Sequence, residues 1–304
     1  MTRVRWTTGE RLTPIHAARC CALGIRGVDD NIVKAIEAPI NELSSRLAAA
    51  EIDCGVFWQR LMSAAASGDS DLAACNAALA SAGCSPLSLD STASAIASQL
   101  ADVRLVHQER FPKLAEQIAL RGRPIRDQWD GYGAGLLKRI SNLTHPSFIP
   151  KGVSCILLSP YRGGEGGLDA SNMRIWIEAV LTNPFPEVPE VLRLVWLIAQ
   201  VGLIEGLSTG PEDSSGDPWV APLHLPRVAA LAMMPLTLEA ASYLELIPTP
   251  ATSLSSLFGK AAQAWRIAVD VPTLDTLENW WRQFQDLKTP PAVTLKALDR
   301  MLHP

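Results

Sequence analysis

Through the first third of the chain, apolar residues recur at intervals of three and four, the spacing of one face of an α-helix. Helix start and stop residues fall at the ends of these stretches. Thr13-Pro14 opens a first helix that Gly24 closes, and Asp29 or Asp30 opens a second with the stripe Ile32, Ile36, Ile40, Leu43 and Leu47, kinked at Pro39. Shorter helices follow at 56–66 and 72–82. A long helix capped by Asp90 or Ser91 carries Ile96, Leu100, Val103, Leu114 and Ile118, bends at Pro112 and ends at Gly122. Arg123-Pro124 then starts a helix with Ile125, Trp129, Leu136, Leu137 and Ile140, whose Gly131, Gly133 and Gly135 suggest close approach of another backbone.

The period changes after residue 150. Residues 153–159 form a short apolar run between Lys151-Gly152 and Pro160, as in a buried strand. Residues 172–182 alternate, with Ile175, Ile177, Ala179 and Leu181 on one face and Arg174, Trp176, Glu178 and Val180 on the other. The glycines at 163, 164, 166 and 167 between them read as a tight hairpin. An apolar helix over 191–204, a polar break over 206–222 and helices near 225–246, 254–269, 274–287 and 291–302 complete the pattern. The fold expected is α+β and mainly α: a helical bundle over 1–122, then 123–304 with a short antiparallel sheet and C-terminal helices.

Composition narrows the partners. A net charge of -4 and a pI near 5.8 exclude general attraction to nucleic acid, and the mean hydropathy of +0.12 has no uninterrupted apolar stretch of membrane-spanning length behind it. The beginning Met-Thr-Arg-Val-Arg-Trp has no secretory pattern, and the six cysteines form neither C-x-x-C nor a regular framework. A cytoplasmic protein with reduced cysteines is expected.

Recognisable catalytic motifs are absent. H-E-x-x-H, G-x-S-x-G and the P-loop lysine are missing, and the five histidines are scattered. His16 and Cys20 share a helix face as two potential ligands, but zinc needs further donors and none lies nearby in sequence, so no metal and no cofactor is expected. Arg174, Trp176 and Glu178 are candidate ligand-binding residues because alternation puts a charged pair beside an indole; as a covered structural stripe they would tolerate Glu178→Gln without loss of folding. Among nine tryptophans, Trp219 lies in the polar break and Trp280-Trp281 cannot both face one core, which makes these three candidates for an exposed protein-partner surface.

From 123 to 204 the order helix, strand, glycine hairpin, strand, long apolar helix resembles the layout of zincin-type (gluzincin-like) peptidase domains. In such families the long helix carries H-E-x-x-H, whereas the matching stretch here is Pro189-Glu190-Val191-Leu192-Arg193-Leu194-Val195-Trp196-Leu197. The resemblance implies a relative that keeps the scaffold without the metal ligands, and no catalytic residue carries over. The leading expectation is a non-catalytic interaction or scaffold protein. The alternative is an enzyme or small-ligand binder with a pocket around Arg174 and Glu178.

Overall fold

The computed structural model describes residues 2–25, 27–208, 222–248, 251–286 and 290–303. Trp219 lies outside them. The architecture is α+β, mainly α, with a four-stranded sheet clasped between two helical layers.

The first layer is α1 (Leu12–Ala22), α2 (Asp30–Ala49), α3 (Cys54–Ala66), α4 (Asp71–Ser81) and α5 (Leu89–Arg110). Their ends follow capping chemistry: the carboxylates of Asp29 and Asp53 and the hydroxyl of Ser70 accept backbone N–H groups at the starts of α2, α3 and α4. The expected α2 stripe is the buried face, and α2 continues through Pro39 as one 20-residue helix. Pro112 does more than bend a helix. Without an N–H to continue the ladder, the chain breaks at 111–113 and restarts as α6 (Leu114–Arg121).

After α6 the path runs through α7 (Arg123–Gln128), a π-turn at Trp129–Gly133 and α8 (Ala134–Leu143). No other backbone among the described residues approaches these glycines: a Cβ on Gly133 would meet the Trp129 ring, one on Gly135 would touch the Leu244 side chain at 3.0 Å, and Gly131 faces open space.

The strands are β1 (Arg3–Thr8), β2 (Gly152–Leu158), β3 (Gly166–Asp169) and β4 (Arg174–Glu178), in the order β1-β2-β4-β3. This corrects the expected antiparallel hairpin. β2 and β4 are parallel neighbours, β1 is parallel to β2, and only β3 runs antiparallel to β4 at the edge. The 15 residues between β2 and β4 are long enough for a crossover, as parallel pairing demands, and the second glycine pair forms β3 instead of a turn. A cross-strand pair explains the glycine at 167: the indole of its partner Trp176 fills the space a Cβ would take, at 2.4 Å.

The remaining helices are α9 (Glu190–Ser208), α10 (Leu225–Tyr243), α11 (Phe258–Ala264), α12 (Val271–Asp286) and α13 (Pro291–Leu302), with a 3-10 segment at Ala251–Leu257 before α11. Val153, Cys155, Leu157, Ile175 and Ile177 turn one sheet face into the core of these helices, and Ile156, Leu158 and Trp176 turn the other toward α1–α5. Burial on both faces is why β2 reads as an unbroken apolar run. The cores divide at the sheet rather than at Gly122: Leu114 and Ile118 already belong to the second core, and β1 joins the sheet from the chain's start. α9 has the length and hydropathy of a membrane span, but 83% of that window is buried inside the protein, so it packs as a central core helix.

Candidate functional site

The parallel register carries the last residue of β4, Glu178, under α1. There its carboxylate is 1% exposed and fully engaged. Oε1 accepts from His16 Nε2 at 2.8 Å and from the Arg162 backbone N–H at 2.7 Å, while Oε2 accepts from the N–H groups of Gly164 at 2.7 Å and Glu165 at 2.9 Å. Burial by itself would raise the Glu178 pKa; the His16 hydrogen bond, with the backbone donors, outweighs it and holds the group down at about 2. The glycine segment is therefore a nest around an internal carboxylate. Gly164, at φ +121°, is required there because a Cβ would sit 2.5 Å from the Ala264 carbonyl.

Arg193 of α9, fully buried, ties this nest to the second core. It donates to the carbonyls of Glu165 (2.7 Å) and Glu178 (2.9 Å) and pairs with Glu190. Arg19 pairs with the Glu165 carboxylate, and His107 of α5 hydrogen-bonds the Tyr161 hydroxyl. Burial pushes the His107 pKa down to about 4, so its ring is neutral at physiological pH. Cys20, one helical turn beyond His16, is held as a thiol: burial, reinforced by Glu165 and Glu178, pushes it up to about 12. With no exposure and the C-terminal half of α1 around it, this sulfur is no nucleophile.

Glu165 also borders a cleft of about 430 Å³. Its floor is Gly166, Gly167 and Leu168 of β3; one wall is Trp196, Leu197, Gln200 and Ile204 of α9, and the other is Arg19, Gln59 and Met62 of α1 and α3, with the Trp176 indole between. Trp196 is fixed by donation to the Ala230 carbonyl at 2.8 Å and by stacking on Trp265. The edge of β3 beside the cleft has no strand partner among the described residues. Glu178 donates its N–H to the Glu165 carbonyl, so alternation along the ladder turns the N–H and C=O of Gly166 and Leu168 outward.

The sequence-derived candidates separate here. Trp176 lines the cleft; Glu178 lies behind it, sealed by its own hydrogen bonds; Arg174 points away to the Ser67 hydroxyl at 3.0 Å. Neither Arg174 nor Glu178 lines the cleft. Trp280 and Trp281 are both buried, at 2% and 3% exposure, because the α12 face that meets α10 and α13 is wide enough to enclose adjacent indoles, and Trp280 donates to the Thr294 carbonyl. Neither offers an exposed partner surface. Sequence reading missed Glu165, Arg193 and Gln200, whose roles arise only from tertiary placement. It did single out His16 and Cys20, and the donor absent nearby in sequence arrives from Glu165. No protein-family model matches the chain, and neither a curated protein nor a solved structure matches it.

Proposed function

We propose that this chain is a non-catalytic interaction protein of the cytoplasm, a relative of zincin-type peptidases without their helix-borne metal ligands, which binds an extended peptide segment in the cleft between β3 and α9. The observation that carries the reading is the pairing of an open strand edge with α9 across that cleft. Where the resemblance would place two histidines one turn apart on the helix, α9 presents Trp196 and Gln200 to the cleft. An indole and a carboxamide at that spacing neither hold zinc nor activate water, yet they serve well as an apolar wall and a hydrogen-bonding group.

A peptide fits this site because the outward N–H and C=O groups of Gly166 and Leu168 can pair with its backbone, while a space of about 430 Å³ takes its side chains. The six free cysteines are compatible with a reducing compartment. A labelled hexapeptide library, screened by fluorescence anisotropy against the full chain, tests the reading. Leu168→Pro removes one outward N–H at the edge without touching the ladder to β4 and should weaken the selected peptide at least tenfold, whereas Leu168→Ala, which loses the same partly buried side chain but keeps the N–H, should bind it more tightly than the proline variant does. A small molecule that binds equally to both forms, with no peptide selected, would replace strand addition by a small-ligand pocket.

A further inference from the structure

His16, Cys20 and Glu165 each bring a ligand-type atom within 4.8 Å of the other two, and all three are buried. We propose that these residues hold one divalent cation of the zinc class, in a buried site behind the peptide cleft that shares Glu165 with the cleft's border.

Two orphaned atoms carry the proposal along with the proximity. His16 Nδ1 and Glu165 Oε2 are buried and, among the described residues, lack a hydrogen-bond partner; Oε2 has an ionic contact with the Arg162 guanidinium at 3.5 Å. Buried polar atoms without partners are costly, and a cation supplies what each lacks. Glu178 engages His16 Nε2, which leaves Nδ1 as the nitrogen with a lone pair to give; a carboxylate behind a histidine is the usual second support of a metal ligand. Arg19 similarly orients Glu165 through the other carboxylate oxygen.

One nitrogen, one sulfur and one oxygen form a borderline-soft donor set suited to zinc rather than to calcium or magnesium. Tetrahedral bonds of about 2.0–2.3 Å put donors roughly 3.3–3.8 Å apart, inside the 4.8 Å that bounds the present separations. The Cys20 thiol gives up its proton on ligation. The ion's two charges and Arg19 then offset the thiolate, Glu165 and Glu178, leaving the buried cluster near neutrality. The site would cross-link α1 to the glycine nest that carries β3. A second group, His224, Asp299 and His303, is also close enough to ligate, but its three side chains are partly exposed and already bonded to one another.

The experiment uses the full chain, purified without a histidine tag, stripped with chelator and titrated with Co²⁺ and then Zn²⁺. One Co²⁺ per chain should bind with a thiolate-to-cobalt charge-transfer band, and Zn²⁺ should displace it and raise the melting temperature. Cys20→Ala should abolish the band and weaken binding at least tenfold, whereas Cys155→Ala should leave both intact. Should Cys20→Ala fail to fold, X-ray absorption of the zinc-loaded natural chain decides, with one sulfur among nitrogen and oxygen scatterers expected. Failure to bind Co²⁺ stoichiometrically, binding without a sulfur ligand, or loss of the ion in His224→Ala would overturn the proposal.

Discussion

The two faces of one small sheet are buried to similar depth by opposite means. Toward α9 the contact is almost wholly apolar: Cys155, Leu157, Ile175 and Ile177 meet a helix with 15 buried residues. Toward α1 and α5 the same strands present Glu178 and are covered by His16, His107 and Tyr161, joined by hydrogen bonds. The apolar face tolerates small losses because dispersion contacts are many and individually weak. The polar face is all-or-none: each removed partner strands a buried group.

The sharpest break of this contrast is Glu178→Gln. Whichever way the amide turns, its NH2 faces backbone N–H donors or His16, so the variant should lose about 3–5 kcal/mol in urea unfolding, the usual scale for breaking a buried ionic network from one side. An outcome below about 1 kcal/mol would mean the nest is not formed. The expectation that this substitution leaves folding intact is thus reversed, since a covered stripe here means a saturated carboxylate and not a neutral one.

Acid should weaken the polar face through His107. The unfolded chain protonates His107 near 6.5 and the folded one only near 4, so stability is complete above that interval and falls by about 3 kcal/mol as pH drops through it. Unfolding midpoints at pH 7 and 4.5 should differ less in His107→Gln than in the natural chain; an equal difference would remove His107 as the cause. Gly167→Ala, which drives a methyl into the Trp176 ring, should cost about 1–3 kcal/mol and alter tryptophan emission. Ile177→Val, on the apolar face, should cost only about 0.5–1.5 kcal/mol by the same unfolding assay. A loss matching that of Glu178→Gln would erase the difference between the faces.

Much of the helical frame is legible in sequence because it is local. The α2 stripe and the cap at Asp29 involve residues within a few positions of one another. β2 and β4 are equally visible from their own periods. Their pairing is not: direction and neighbour depend on crossovers, and β1, only six residues long, gives no signal of its partner far down the chain. The cleft was foreshadowed by Trp176 alone. The nest was missed because its donors are main-chain N–H groups, which no side-chain pattern encodes, and the glycines that permit it resemble those of a hairpin.

The placement of β1 has a consequence for how the protein is made. Arg3 pairs with Gly152 and Thr8 with Leu157, so β1, once synthesised, has no partner until about 150 further residues have followed it. At roughly 5–20 residues per second this is a wait of about 10–30 s, during which α1–α5 can collapse but the sheet cannot. The interval leaves an extended segment containing Val4 and Trp6 open to other chains. Its two arginines, at positions 3 and 5, are the kind of charge that discourages such pairing.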